Sequence, residues 1–93
     1  MKPVRFSEKK DKWLRKERGV GFVEISQSIK EERMIKVIDH PNKKKFPKQK
    51  MFLVQLKNYL YVVPFVEEVG YIFLKTVYPS NKYTKKYLKH IKS

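Results

Sequence analysis

Lys75, Tyr78, Lys82, Tyr83, Lys85, Lys86 and Tyr87 fall within thirteen consecutive positions, so ammonium groups and phenol rings alternate along one short segment. Lysines neutralise phosphates and tyrosine rings stack on unpaired bases, which is the combination that single-stranded RNA binding uses. The competing reading makes Tyr83 and Tyr87 the packed stripe of an amphipathic helix and the lysines its solvated face. Helical spacing favours packing for those two tyrosines. Lys43, Lys44 and Lys45 stand between Pro41 and Pro47, a composition that marks an exposed loop, either a phosphate clamp or a charged surface. Arg15, Lys16 and Arg18 close the first helical pattern, where positive charge also complements the helix dipole. Neutral-pH bases are scarce: His40 borders a turn in Asp39-His40-Pro41, and His90 lies near the end of the chain.

Other chemistries are excluded more firmly. Without cysteine there is no disulfide, no thiolate zinc site and no cysteine nucleophile. No phosphate-cradling glycine loop, His-Glu-x-x-His pair or Gly-x-Ser-x-Gly elbow occurs, so neither a nucleotide cofactor nor a metal is expected.

The charge balance says where a polyanion would bind. Of the 93 residues, 23 are Lys or Arg and 9 are Asp or Glu, a net charge of +14. Residues 1–40 carry 11 basic and 7 acidic side chains, and residues 41–93 carry 12 and 2, so +10 of the charge sits in the second part. A hydrophobic fraction of 41% with 14% aromatic residues is too apolar for a disordered basic tail. A single folded domain over residues 1–93 is expected, burying only about 60% of its unfolded surface. The opening MKPVRFSEKK lacks an apolar run after its charges, and nothing approaches the roughly 18 apolar residues of a membrane span. The expectation is a cytoplasmic protein with no membrane partner.

Lys2 to Phe6 reads as a short strand. Ser7 is a helix cap, followed by a helix to about Glu17 that Gly19 stops. Gly21 opens a second helix whose Phe22, Ile25 and Ile29 make one apolar stripe. β-branched and aromatic runs then predict four strands, at about residues 34–40, 50–56, 59–66 and 71–78. Lys57-Asn58 joins the middle two as a hairpin, with Asn58 tolerating positive φ. Pro64 interrupts the third of these strands and implies a bulge or an edge. Ser80 caps a last helix that puts Tyr83, Tyr87, Leu88 and Ile91 on one face. The order predicts an α+β fold: two N-terminal helices, a four-stranded antiparallel meander and a C-terminal helix, with helices over one face. The unbroken apolar character of the middle strands predicts cover on their second face as well.

Two segments resemble a known family. Phe6 to Glu24 (FSEKKDKWLRKERGVGFVE) and Ile72 to Tyr87 (IFLKTVYPSNKYTKKY) are similar to the opening and closing stretches of the BrnT-type toxins of bacterial toxin-antitoxin pairs. The resemblance covers about a third of the chain. It implies a RelE/ParE-like fold and a metal-independent endoribonuclease, held inactive by a ribbon-helix-helix antitoxin through which alone the pair contacts DNA. Members of that family commonly carry arginine near Asn81 and histidine where Arg18 stands; asparagine lacks the guanidinium fork that binds phosphate.

Metal-free RNA cleavage needs a base for the 2′-hydroxyl, cations for the charge developing on phosphorus, and an acid for the leaving 5′-oxygen. Lys75 and Tyr78 are the candidates for proton transfer, with His40 in reserve, and Lys82 stabilises charge. Lys85, Lys86, Lys43, Lys44, Lys45, Arg15, Lys16 and Arg18 are the candidate RNA-binding cations. Two other classes compete: a non-catalytic basic nucleic-acid-binding module, and a protein-interaction domain without catalysis. A small ribbon-helix-helix gene beside this one separates the toxin from both.

Overall fold

Ser7 starts the first helix as its type and position predict: its side-chain oxygen accepts from the Lys10 N–H at 3.2 Å, ahead of α1 (Glu8–Arg18). Gly19 ends it in the left-handed region, φ 72°, donating to the Arg15 carbonyl at 3.1 Å. α2 (Phe22–Lys30) follows almost at once. Glycine has no side chain to cap it, and a buried carboxylate from α1 takes that part. Asp11, 7% exposed, accepts from the Phe22 N–H at 2.6 Å and from Arg15 Nε at 3.1 Å. A Cβ at Gly21 would lie 2.5 Å from Asp11 Oδ1 and 2.9 Å from Arg15 Cγ, so glycine is what lets the two helices meet this closely.

The computed structural model describes residues 2–88. After α2 come β2 (Met34–Asp39), β3 (Gln49–Leu56), β4 (Tyr59–Glu67), β5 (Ile72–Leu74) and β6 (Tyr78–Pro79), and before α1 comes β1 (Val4–Arg5). They form one six-stranded sheet in the order β1-β5-β4-β3-β2, with β6 also on β4. The expected antiparallel meander is present from β2 onward, but the sheet is mixed, because β1 pairs parallel with β5 through Val4 opposite Ile72 and Arg5 opposite Phe73. The expected fourth strand is split into β5 and β6. In the β3–β4 hairpin, closed by Leu56 opposite Tyr59, positive φ falls on Lys57 at 60° and not on Asn58. Positive φ at the first central position is the backbone of a type II′ turn, one of the two that match strand twist.

Alternation along β3 and β4 sorts their side chains into two cores. Phe52, Val54, Val63 and Phe65 join Leu14, Phe22, Ile25 and Ile29 of the helical pair, whereas Met51, Leu53 and Val62 lie on the opposite face under Tyr83 and Tyr87. Those tyrosines belong to α3 (Asn81–Leu88). Helices therefore cover both faces, not one, and α3 supplies the cover that the apolar middle strands predict. Ser80 Oγ accepts from the Tyr83 N–H at 3.1 Å, so Ser80 is the cap the sequence predicts. Thr84 Oγ1 accepts from the Leu60 N–H at 2.9 Å, and the Tyr59 hydroxyl bonds the Asn81 side chain, fixing the helix on the start of β4. Ile91 and His90 lie outside the described residues. Among the described residues no helix is long and apolar enough to cross a membrane.

Asp11→Ala strands the buried Phe22 N–H, and should lower unfolding free energy by about 1–3 kcal/mol. Denaturant melts of Asp11→Ala beside an exposed control such as Lys12→Ala, expected within about 0.5 kcal/mol of the parent, check it.

Candidate functional site

Pro64 determines the local geometry. The Lys75 N–H donates to the Pro64 carbonyl at 2.8 Å, but proline has no N–H with which to return the bond. The ladder slips here. Leu74 pairs with Phe65 and Tyr78 with Val62, so Lys75, Thr76 and Val77 stand opposite only Val63 and Pro64. One extra residue is a β-bulge, and it changes which side chains share a face. In an unbroken strand, residues three apart point to opposite sides. Here Ile72, Leu74 and Val77 all enter the core beneath α1 and α2, while Lys75 and Tyr78 both face the α3 side.

Tyr78 is partly sunk into that side. Its hydroxyl lies 3.9 Å from Met51 Sδ and the residue remains 37% exposed. Burial pushes the phenol above its ordinary value of 10.0, and neighbouring Tyr83 adds to the rise. Tyr78 is a neutral phenol at neutral pH, as its ordinary value alone makes it, and the rise takes it further from acting as a base. Lys82 sits in the first turn of α3 with its ammonium 5.6 Å from the Tyr83 ring centre. Lys85 and Lys86 are exposed one turn further on. Among the described residues, ion pairs engage Lys2, Arg15, Arg33 and Lys43, and none engages Lys75, Lys82, Lys85 or Lys86.

Arg18 reaches the same segment from the other layer. Its guanidinium donates to the Val77 carbonyl at 2.5 Å and lies 5.1 Å from the Trp13 ring centre, holding the bulge against the end of α1. Arg15 is committed to Asp11, and Lys16 is an exposed residue of α1. The remaining candidates lie elsewhere. His40 follows β2, where its Nδ1 accepts from the Asn42 N–H at 3.0 Å and its ring packs 4.6 Å from Phe46. From His40 through Gln49 and Val66 to Phe73 is three strand spacings, about 14 Å. His40 is therefore apart from Lys75 and Tyr78. Lys43, Lys44 and Lys45 share its loop, with Lys43 2.9 Å from Asp39 and lowering that carboxyl below its usual value.

The arrangement also gathers residues that reading the sequence did not single out. Tyr71, Phe73 and Lys75 alternate on one strand, with Arg5 beside them from β1. Trp13, 44% exposed, has Lys10 at 4.4 Å and Arg18 at 5.1 Å from its ring centre. The period-two order Tyr-x-Phe-x-Lys was the available signal for the first group. No protein-family model, curated protein or solved structure matches the chain. Among the described residues no three His, Asp or Glu side chains gather as a metal site.

In a spectroscopic pH titration, Tyr78→Phe should remove one phenol that ionises later than 10.0, leaving the one at Tyr61, which burial, Glu24 and Tyr59 also raise. Because folding favours the neutral phenol, the stabilisation it brings is complete below the unfolded value and disappears as pH rises through the folded one. The variant should accordingly lose less stability than the parent in alkali. An unchanged titration curve would contradict the assignment.

Proposed function

We propose that the protein is the toxin of a bacterial toxin-antitoxin pair, a metal-independent endoribonuclease of the BrnT type with a RelE/ParE-like architecture. The observation that carries this reading is the bulge opposite Pro64, which puts Lys75 and Tyr78 on the sheet face that α3 also packs on, with no carboxylate paired to them or to the lysines of α3 among the described residues. A concentration of cations around a protonated phenol is what phosphodiester cleavage by the 2′-hydroxyl requires. The 2′-oxygen attacks phosphorus as its proton passes to a base, the bond to the 5′-oxygen breaks, and the leaving oxygen takes the proton of Tyr78. A 2′,3′-cyclic phosphate and a 5′-hydroxyl result.

Lys75 is the basic group nearest this chemistry and serves as base or as the closest cation. Lys82 offsets charge on the phosphorane, and Lys85 and Lys86 take flanking phosphates. The partners are RNA and a cognate ribbon-helix-helix antitoxin, in the cytoplasm, with DNA contacted through their complex. The second reading, a non-catalytic basic RNA-binding module, is supported by the same unpaired lysines and differs only in lacking the chemical step.

Lys75→Met separates the two. Its side chain is exposed, so the melting temperature should stay near the parent's, while RNA cleavage should fall by about 10²-fold or more and growth arrest on expression should be lost. A folded variant cleaving at the parental rate removes Lys75 from the site. Salt dependence locates the binding face: neutralising Lys82, Lys85 and Lys86 together should flatten log affinity against log salt by about two units for single-stranded RNA. The same change at Lys43, Lys44 and Lys45 should flatten it less, since Lys43 already serves Asp39.

A further inference from the structure

We infer that Tyr71 and Phe73 form a platform on which two successive bases of unpaired RNA stack beside Lys75, which rests on the reading that RNA is the substrate. Ile72 and Leu74 point into the core under α1 and α2, so Tyr71, Phe73 and Lys75 occupy the opposite face of the same strand. Among the described residues, α3 packs on Met51, Leu53 and Val62 of that face, and both rings lie outside that cluster and remain partly exposed.

Each ring has its own cation. The Arg5 guanidinium is 4.9 Å from the Tyr71 ring centre and the Lys75 ammonium 5.6 Å from that of Phe73. Arg5 pairs directly with Phe73 in the β1–β5 ladder, which fixes the two aromatic and two cationic groups as one block. Each cation lies over one face of its ring, so a base stacks on the other face while the cation meets the phosphate. Of the two carboxylates beside this strand, Glu67, opposite Ile72, is paired with Lys2 at 2.9 Å, and Glu68 stands at the Tyr71 end, its N–H donating to the Tyr71 carbonyl at 2.8 Å.

Spacing selects the form of the ligand. Two positions along a strand separate the rings by about 6.6 Å, roughly twice the 3.4 Å rise of stacked bases in a helix. Bases still stacked on each other cannot each take a ring, and an extended strand with its bases unstacked can. The platform therefore binds single-stranded RNA of any sequence next to the phosphate held by Lys75, and excludes duplex.

Binding of the full-length protein to a short 2′-O-methyl oligouridine, which the 2′-hydroxyl route cannot cleave, tests this against an abasic oligomer of equal length and charge. The normal oligomer should bind at least about tenfold more tightly than the abasic one. Tyr71→Leu and Phe73→Leu, folded by circular dichroism, should each reduce that preference while leaving affinity for the abasic oligomer unchanged. Equal binding of both oligomers by the parent overturns the platform and leaves the toxin reading standing. Failure to bind either oligomer overturns both.

Discussion

Pro64 lies inside β4, a strand with neighbours on both sides, and cannot donate toward the strand that follows. In a purely structural strand this would be a loss with nothing set against it. Here the missing bond falls where the partner strand has to change register, so the lost donor and the extra residue answer each other. The bulge keeps Leu74 and Val77 in the core on either side of it, which an unbroken strand could not do for residues three apart. The same slip turns Lys75 and Tyr78 to one side. Core packing and the candidate site thus depend on a single irregularity.

The distribution of charge follows from the layers. In the first part of the chain carboxylates are used locally: Asp11 with Arg15 and Phe22, Glu31 with Arg33, Asp39 with Lys43. These contacts tie down helix ends and turns. After Lys50 only Glu67 and Glu68 are acidic, and Glu67 is taken by Lys2. The lysines of α3 are accordingly left to solvent, and Tyr83 and Tyr87 hold that helix to the sheet by packing on Met51, Leu53 and Val62, together with the Thr84 and Asn81 hydrogen bonds to β4. Mutual repulsion of unpaired ammonium groups opposes folding, and a bound polyanion relieves it.

Much of this was legible in the residues. Ser7, Gly19 and Ser80 work locally, through a side-chain oxygen or a left-handed φ, so their positions alone identify the helix ends. The aliphatic runs of β3 and β4 announced burial on both faces. What stayed hidden was long-range. Two residues, Val4 and Arg5, are too few to show which strand they join or in which direction. Nothing in the order of elements says that α3 crosses to the face opposite α1 and α2. Pro64 signalled an irregularity, but the extra residue appears in the strand beside it, which only the pairing reveals. For the same reason only the pairing shows that Lys75 and Tyr78 share a face, and that β3 and β4 lie between them and His40.

Arg18 shows how the N-terminal pair of helices bears on the bulge. Asp11 fixes α2 against α1, and α1 presents Arg18 at its last turn, where one planar guanidinium lies against Trp13 and donates to Val77. A lysine has the charge but not a flat donor face that can do both, and a shorter imidazole has less reach. The backbone that carries Lys75 and Tyr78 is short of ladder bonds because of Pro64, so a donor from another layer replaces part of what the sheet cannot give. The stretch of chain least supported by its own strand is the one that α1 supports, and it is the stretch that turns Lys75 and Tyr78 to one face.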